Sequence, residues 1–137
     1  MEIIDELGKN SRLSEKKIAQ KTGIPMTTVH NRVKKLVESG VIRGYSLRLD
    51  FEKMGRPITA FVMVKAAAKA DQKKILAYVS SKPSVFEAAM ITGEFDVLFK
   101  ARVENMNELN RLVVQDLRRN ELISDTRTMI SYETIEK

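Results

Sequence analysis

Two short amphipathic helical patterns around a glycine turn, then hydrophobic periods that run strand, helix, strand, strand, helix, strand, predict an α+β chain. The first part reads as a winged helix-turn-helix over residues 1–51, the next as a linker over 52–57, and the rest as a ferredoxin-like βαββαβ domain over 58–137. Charge divides the chain in the same way. Residues 1–56 carry 12 Lys and Arg against 7 Asp and Glu, net +5, whereas residues 57–137 carry 12 against 11, net +1. The positive field therefore belongs to the helical part, where it favours a polyanionic partner.

The helical signal is sharpest in Gly23–Ile42. On a helix of 3.6 residues per turn, Val29, Val33, Leu36 and Val37 share one face with Met26 beside them, and that face is expected inside. The opposite face carries Thr27, Thr28, Asn31, Lys34 and Lys35, the mixture of short hydrogen-bonding groups and cations that base edges and phosphates require. Upstream, Ser14 is the expected N-cap of a helix that turns Ile18 and Ala19 inward and closes at Gly23. Pro25 stands where a Ser or Asp cap would be expected, so the second helix begins uncapped or uses Pro25 near its first turn. Met1–Leu7 gives about two further turns with Ile3, Ile4 and Leu7 inward, ended by Gly8, and Lys9 and Arg12 in the polar connection face phosphate. Val41–Phe51 alternates Ile42, Leu47, Leu49 and Phe51 inward with Arg43 and Arg48 outward, which predicts a strand placed as a wing.

Beyond the break at Glu52–Pro57, Pro57–Ala67 is apolar on both faces, with Ile58, Ala60, Val62 and Val64 on one and Phe61 and Met63 on the other. Asp71–Lys82 reads as a helix burying Ile75, Leu76 and Val79, with Pro83 preventing its continuation. Val85–Gly93 and Phe95–Val103 read as two strands around a tight turn at Gly93 and Glu94. Asn105–Arg119 is a second helix with Leu109, Leu112, Val113 and Leu117 inward, and Ile123–Glu133 closes as a strand. Two helices cover one side of such a sheet, so a second copy of the chain is expected over the other.

Composition removes several function classes. The chain has no Cys and one His, His30, which excludes a disulfide framework, a thiolate or zinc cluster and a Ser/His/Asp triad. No Gly-rich phosphate loop accompanies the acid pair Glu94 and Asp96, so no cofactor is expected and no enzyme. The start MEIIDELGKN lacks the cationic and apolar parts of a signal peptide and no apolar run is long enough for a span; the expectation is a cytoplasmic chain without a membrane partner.

The run Arg32–Ile42, the linking DFEKMG and the turn Thr92–Asp96, in this order and separation, resemble the leucine-responsive regulator, or Lrp/AsnC, family of prokaryotic transcription regulators. The resemblance covers essentially the whole chain and implies an N-terminal unit that binds double-stranded DNA and a C-terminal domain that forms homodimers and higher assemblies and often binds an amino-acid effector. The candidate DNA-contacting set is Arg12, Thr27, Thr28, His30, Asn31, Arg32, Lys34 and Lys35, with Asn31 and Thr27 on bases and Lys34, Lys35 and Arg12 on phosphates. The effector set is Gly93, whose backbone meets a ligand carboxylate, Glu94 or Asp96, which meets its ammonium group, and Thr126 or Thr128, which supplies a hydroxyl. The chain begins several residues later than the family pattern, which shortens the first helix or places the true start upstream, and Pro25 and Met26 replace the usual cap, so operator preference does not carry over.

Two other readings compete. A βαββαβ domain also suits RNA, where Phe95 and Phe99 would stack on bases; ordinary core packing is the other account of both rings. A nonspecific architectural DNA-binding protein would use the same basic field without base readout.

Overall fold

In the computed structural model, which describes residues 1–137, Ser14 and Gly23 bracket a helix as their chemistry dictates. The Ser14 hydroxyl accepts from the Lys17 N–H at 3.2 Å, and Gly23 takes a left-handed φ of 72° while its N–H reaches the Ala19 carbonyl at 2.9 Å. That helix, α2 (Glu15–Thr22), lies between α1 (Glu2–Lys9) and α3 (Met26–Glu38). The three enclose Ile3, Ile18 and Val29, with Leu7, Leu13, Ala19, Ile24 and Val33 packed around them. Burial of that cluster is what holds three helices of marginal length together. Val37 and Met26, expected on the inner face, are 48% and 53% exposed. They lie roughly 60–80° off the Val29 direction on the helix wheel, outside the narrow stripe that two short helices can cover. Helix α1 also runs past Gly8, because Lys9 pairs with Glu6 one turn back at 2.8 Å.

The chain divides into two units, Met1–Arg48 and Leu49–Lys137, and residues 52–57 group with the second. The strand expected at Val41–Phe51 does not form; residues 43–50 carry no ladder. The alternation of Leu47, Leu49 and Phe51 is real, but no neighbouring segment of the chain offers its backbone, and an unpaired strand leaves its N–H and C=O groups to water.

The second unit is a four-stranded antiparallel sheet ordered β2-β3-β1-β4, with β1 (Ile58–Ala66), β2 (Val85–Met90), β3 (Val97–Val103) and β4 (Ile123–Ile130). Register sets its inner face: Ala60, Val62 and Val64 stand opposite Ala101, Phe99 and Val97, all fully buried. Over them lie Ile75 and Val79 of α4 (Gln72–Ser80) and Leu109 of α5 (Met106–Asn110), together with Leu112, Val113 and Leu117. Helix α5 begins with Asn105 as N-cap, its Oδ1 accepting from Glu108 N–H at 2.9 Å, while Glu108 Oε2 reaches back to accept from Glu104 N–H at 2.7 Å. It continues as a π-helical segment, Arg111–Leu117. The opposite sheet face is covered by no helix of the unit. There Phe61 pairs across with Lys100 and Met129, and Met63 with Leu98 and Arg127. The expected tight turn between β2 and β3 is instead a six-residue loop, Ile91–Asp96, closed by Ile91 N–H on the Asp96 carbonyl at 2.9 Å. No helix is long and apolar enough to cross a membrane.

Candidate functional site

Burying Val29 fixes the rotation of α3, and with it what the helix shows outward. Thr27, Asn31 and Lys34 recur at four- and three-residue spacing, are all exposed, and form one stripe along the helix. Glu38 ends the stripe; its carboxylate lies 4.0 Å from the Lys34 ammonium, a contact too loose and too exposed to hold that lysine. The first turn is uncapped: Pro25 occupies the N-cap without a side-chain bond, and its carbonyl accepts the Val29 N–H at 3.0 Å. Its unpaired amides remain available to an anion.

The other candidate residues divide. Thr28 is half-buried at the edge of the stripe. Arg32 and Lys35 stand on the flank of α3, where they line a groove with Met1, Ile3, Ile24 and Leu36. His30 faces α2, its Nδ1 3.0 Å from both carboxylate oxygens of Glu15, and its ring stays exposed. Arg12 belongs to the connection between α1 and α2, where its N–H bonds Asn10 Oδ1 at 3.0 Å and its side chain is exposed.

The expected effector residues divide more sharply. Gly93 takes φ 112°, a conformation only glycine adopts without strain, at the tip of the Ile91–Asp96 loop. Beside it, Glu94 meets Arg127 at 3.8 Å, and the Arg127 guanidinium lies 5.1 Å from the Phe95 ring centroid. The Asp96 carboxylate is occupied: Oδ2 accepts from Ala66 N–H at 2.7 Å and Oδ1 from Gln72 Nε2 at 2.8 Å. Thr126 is buried on the helix-covered face, where its hydroxyl oxygen accepts from Arg118 Nε at 3.4 Å; Thr128, two residues on, is exposed. Arg127 points to the other face, as strand alternation requires, so within one chain Glu94 and Thr126 do not share a surface. Sequence reasoning missed Gln72 and Arg127. The parity of β4 placed Arg127 on the face opposite Thr126, but its partner Glu94 lies across β3 and the second helix in sequence, and Gln72 carried no signal at all.

Phe95 and Phe99 are 5% and 0% exposed, so neither ring can stack on a base. No group of three or more His, Cys, Asp or Glu side chains is arranged to hold a metal.

Comparison with known proteins follows this division. Residues 1–43 match a winged helix-turn-helix DNA-binding model and residues 59–137 the Lrp/AsnC ligand binding domain. An uncharacterised HTH-type transcriptional regulator of Pyrococcus furiosus is 34% identical over 98% of this chain and 91% of its own length. The leucine-responsive regulatory protein of Rhizobium meliloti is also 34% identical, over 98% of this chain and 88% of its own. Among solved structures, Escherichia coli AsnC superposes with a TM-score of 0.89 at 25% identity, covering 98% of this chain and 91% of that one. A transcriptional regulator of Neisseria meningitidis, solved as a complex with L-Met, has the same fold, with a TM-score of 0.92 at 24% identity over 99% and 89% of the two chains.

Proposed function

Because the chain belongs to the Lrp/AsnC family of DNA-binding transcription regulators, we propose that it reads a specific operator as a homodimer and that a small amino acid adjusts its binding. The observation that carries the DNA half is the exposed stripe Thr27, Asn31 and Lys34 on a helix whose rotation is set by a buried valine. Asn31 and Thr27 then contact base edges, Lys34 a phosphate, and two α3 helices enter grooves about 34 Å apart or a multiple of it.

The test is duplex binding across a salt series. Asn31→Ala should cost about 1 to 3 kcal/mol on the operator and relax sequence preference, whereas Lys34→Ala should weaken all duplexes alike and flatten the salt slope by about one unit. If both variants weaken operator and random DNA equally, the assignment of roles fails and a nonspecific architectural role takes its place.

Support for the effector half is the ligand-binding description of the matched domain and the exposed loop tip at Gly93 and Glu94. A ligand held where copies of the chain meet shifts DNA affinity by its differential affinity for the two assemblies and by no more. Calorimetry with the amino acids, repeated on Glu94→Gln, tests this. No binding at millimolar concentration, or unchanged binding in Glu94→Gln, removes the loop from the effector site.

A further inference from the structure

The end of α1, the connection after it and residues 41–48 enclose a groove of about 660 Å³ whose walls hold four cationic residues, Lys9, Arg12, Arg43 and Arg48, and no acidic one. The chain has 18 Asp and Glu, so a wall free of them is not what a mixed, self-paired surface gives. Lys9 is paired with Glu6 at 2.8 Å. Arg12, Arg43 and Arg48 take part in none of the chain's ion pairs, and all three are exposed.

Three guanidinium groups around one concavity repel one another and focus a positive potential there, so the counter-charge comes from outside the chain. Guanidinium forks match phosphate oxygens two at a time, and a groove open along its length suits a chain of phosphates better than a single ion. The groove shares no residue with α3, so whatever it holds is not a base edge read by that helix.

We propose that this groove holds the sugar-phosphate backbone of the duplex that α3 reads, with Arg43 and Arg48 as phosphate contacts alongside Arg12. The proposal rests on the DNA-binding reading above and adds residues to it. Its test uses the full chain, fluorescence anisotropy with an operator and a random duplex, and salt from about 50 to 200 mM. Replacing both residues, Arg43→Gln with Arg48→Gln, removes two phosphate contacts. The salt slope should fall by about 1.8 units, the loss of affinity between those salt concentrations should shrink about tenfold, and the operator-to-random ratio should stay as in the parent. The charge-keeping pair Arg43→Lys with Arg48→Lys should restore most of the slope, which a merely misfolded unit could not do. An unchanged slope in the Gln variant, or a slope not restored by Lys, overturns the proposal. Asn31→Ala in the same series keeps the two readings apart: loss of the ratio there with an unchanged slope in the Gln variant sustains base reading by α3 and sinks the groove.

Discussion

The Asp96 carboxylate accepts the Ala66 backbone N–H at 2.7 Å across thirty residues of chain, where the β1–β3 ladder has already ended at Val64 and Val97. Asp96 N–H also reaches the Val64 carbonyl at 2.9 Å, so backbone and side chain of one residue extend the pairing past the end of β3. The register of β1 against β4 shifts between Lys65 and Ala66, and the carboxylate satisfies an N–H at that irregularity. With Gln72 on its other oxygen, Asp96 ties the loop to the first turn of α4.

Asp96→Ala should therefore destabilise the second unit by about 1 to 3 kcal/mol, since it leaves a partly buried donor without its charged acceptor. Urea denaturation measures this directly. A loss of ligand binding in that variant reports loop structure as much as ligand contact. Glu94→Gln changes an exposed, loosely paired side chain and should stay within about 0.5 kcal/mol of the parent, which makes it the cleaner probe of the effector loop.

Gly23 offers a test of backbone conformation without packing. A Cβ there would meet nothing within 4 Å, yet φ is 72°. Gly23→Ala should cost about 1 to 2 kcal/mol through left-handed strain alone, read as a lower melting temperature of the helical signal. An unchanged melting temperature would mean that the turn between α2 and α3 relaxes to another cap.

The Glu6 carboxyl is held below its usual 4.5 by hydrogen bonds from Lys9 and from Lys21, outweighing the opposite effect of desolvation. Folding therefore lowers its proton affinity, and its contribution to stability is whole above about pH 4.5 and lost as pH falls through the lower folded value. Helical content of the Met1–Arg48 unit, followed in acid, should fall less steeply in Glu6→Gln than in the parent. Identical acid profiles would show that the Glu6 contacts with Lys9 and Lys21 carry no stability.

These cases show what was legible in the sequence. Ser14 and Gly23 act on backbone groups within four residues, so local chemistry was enough to place α2. The alternation of Ala60, Val62 and Val64 placed β1 because a helix-covered sheet face leaves no other choice for them. Val41–Phe51 has an equally good period and yet is not a strand, because a ladder needs a second backbone that the pattern does not contain. The same distinction separates the two candidate sites. The α3 stripe follows from helical phase alone, whereas the fates of Asp96 and Thr126 depend on Ala66, Gln72 and Arg118, contacts that no local period encodes. The π-helical segment Arg111–Leu117 was also invisible, since its apolar residues Leu112, Val113 and Leu117 suit an α-helix equally well.

The uncovered face of the sheet carries the remaining prediction. Both helices of the second unit pack over Val62, Phe99 and their neighbours, and the other face keeps Phe61, Met63, Leu98 and Met129, the last 45% exposed. A monomer would hold this apolar strip in water, whereas two copies placed face to face about a two-fold axis would bury it twice. Met63 stands between Leu98 and Arg127 near the middle of the strip, so Met63→Lys adds a cation beside an existing one where the face would have to be dry. The parent should scatter light as a dimer at micromolar concentration and Met63→Lys as a monomer. Its thermal transition should become independent of protein concentration and move to lower temperature, because the stabilisation that association adds by mass action is lost. A monomeric parent, or a Met63→Lys protein that remains dimeric, would place the self-association surface elsewhere.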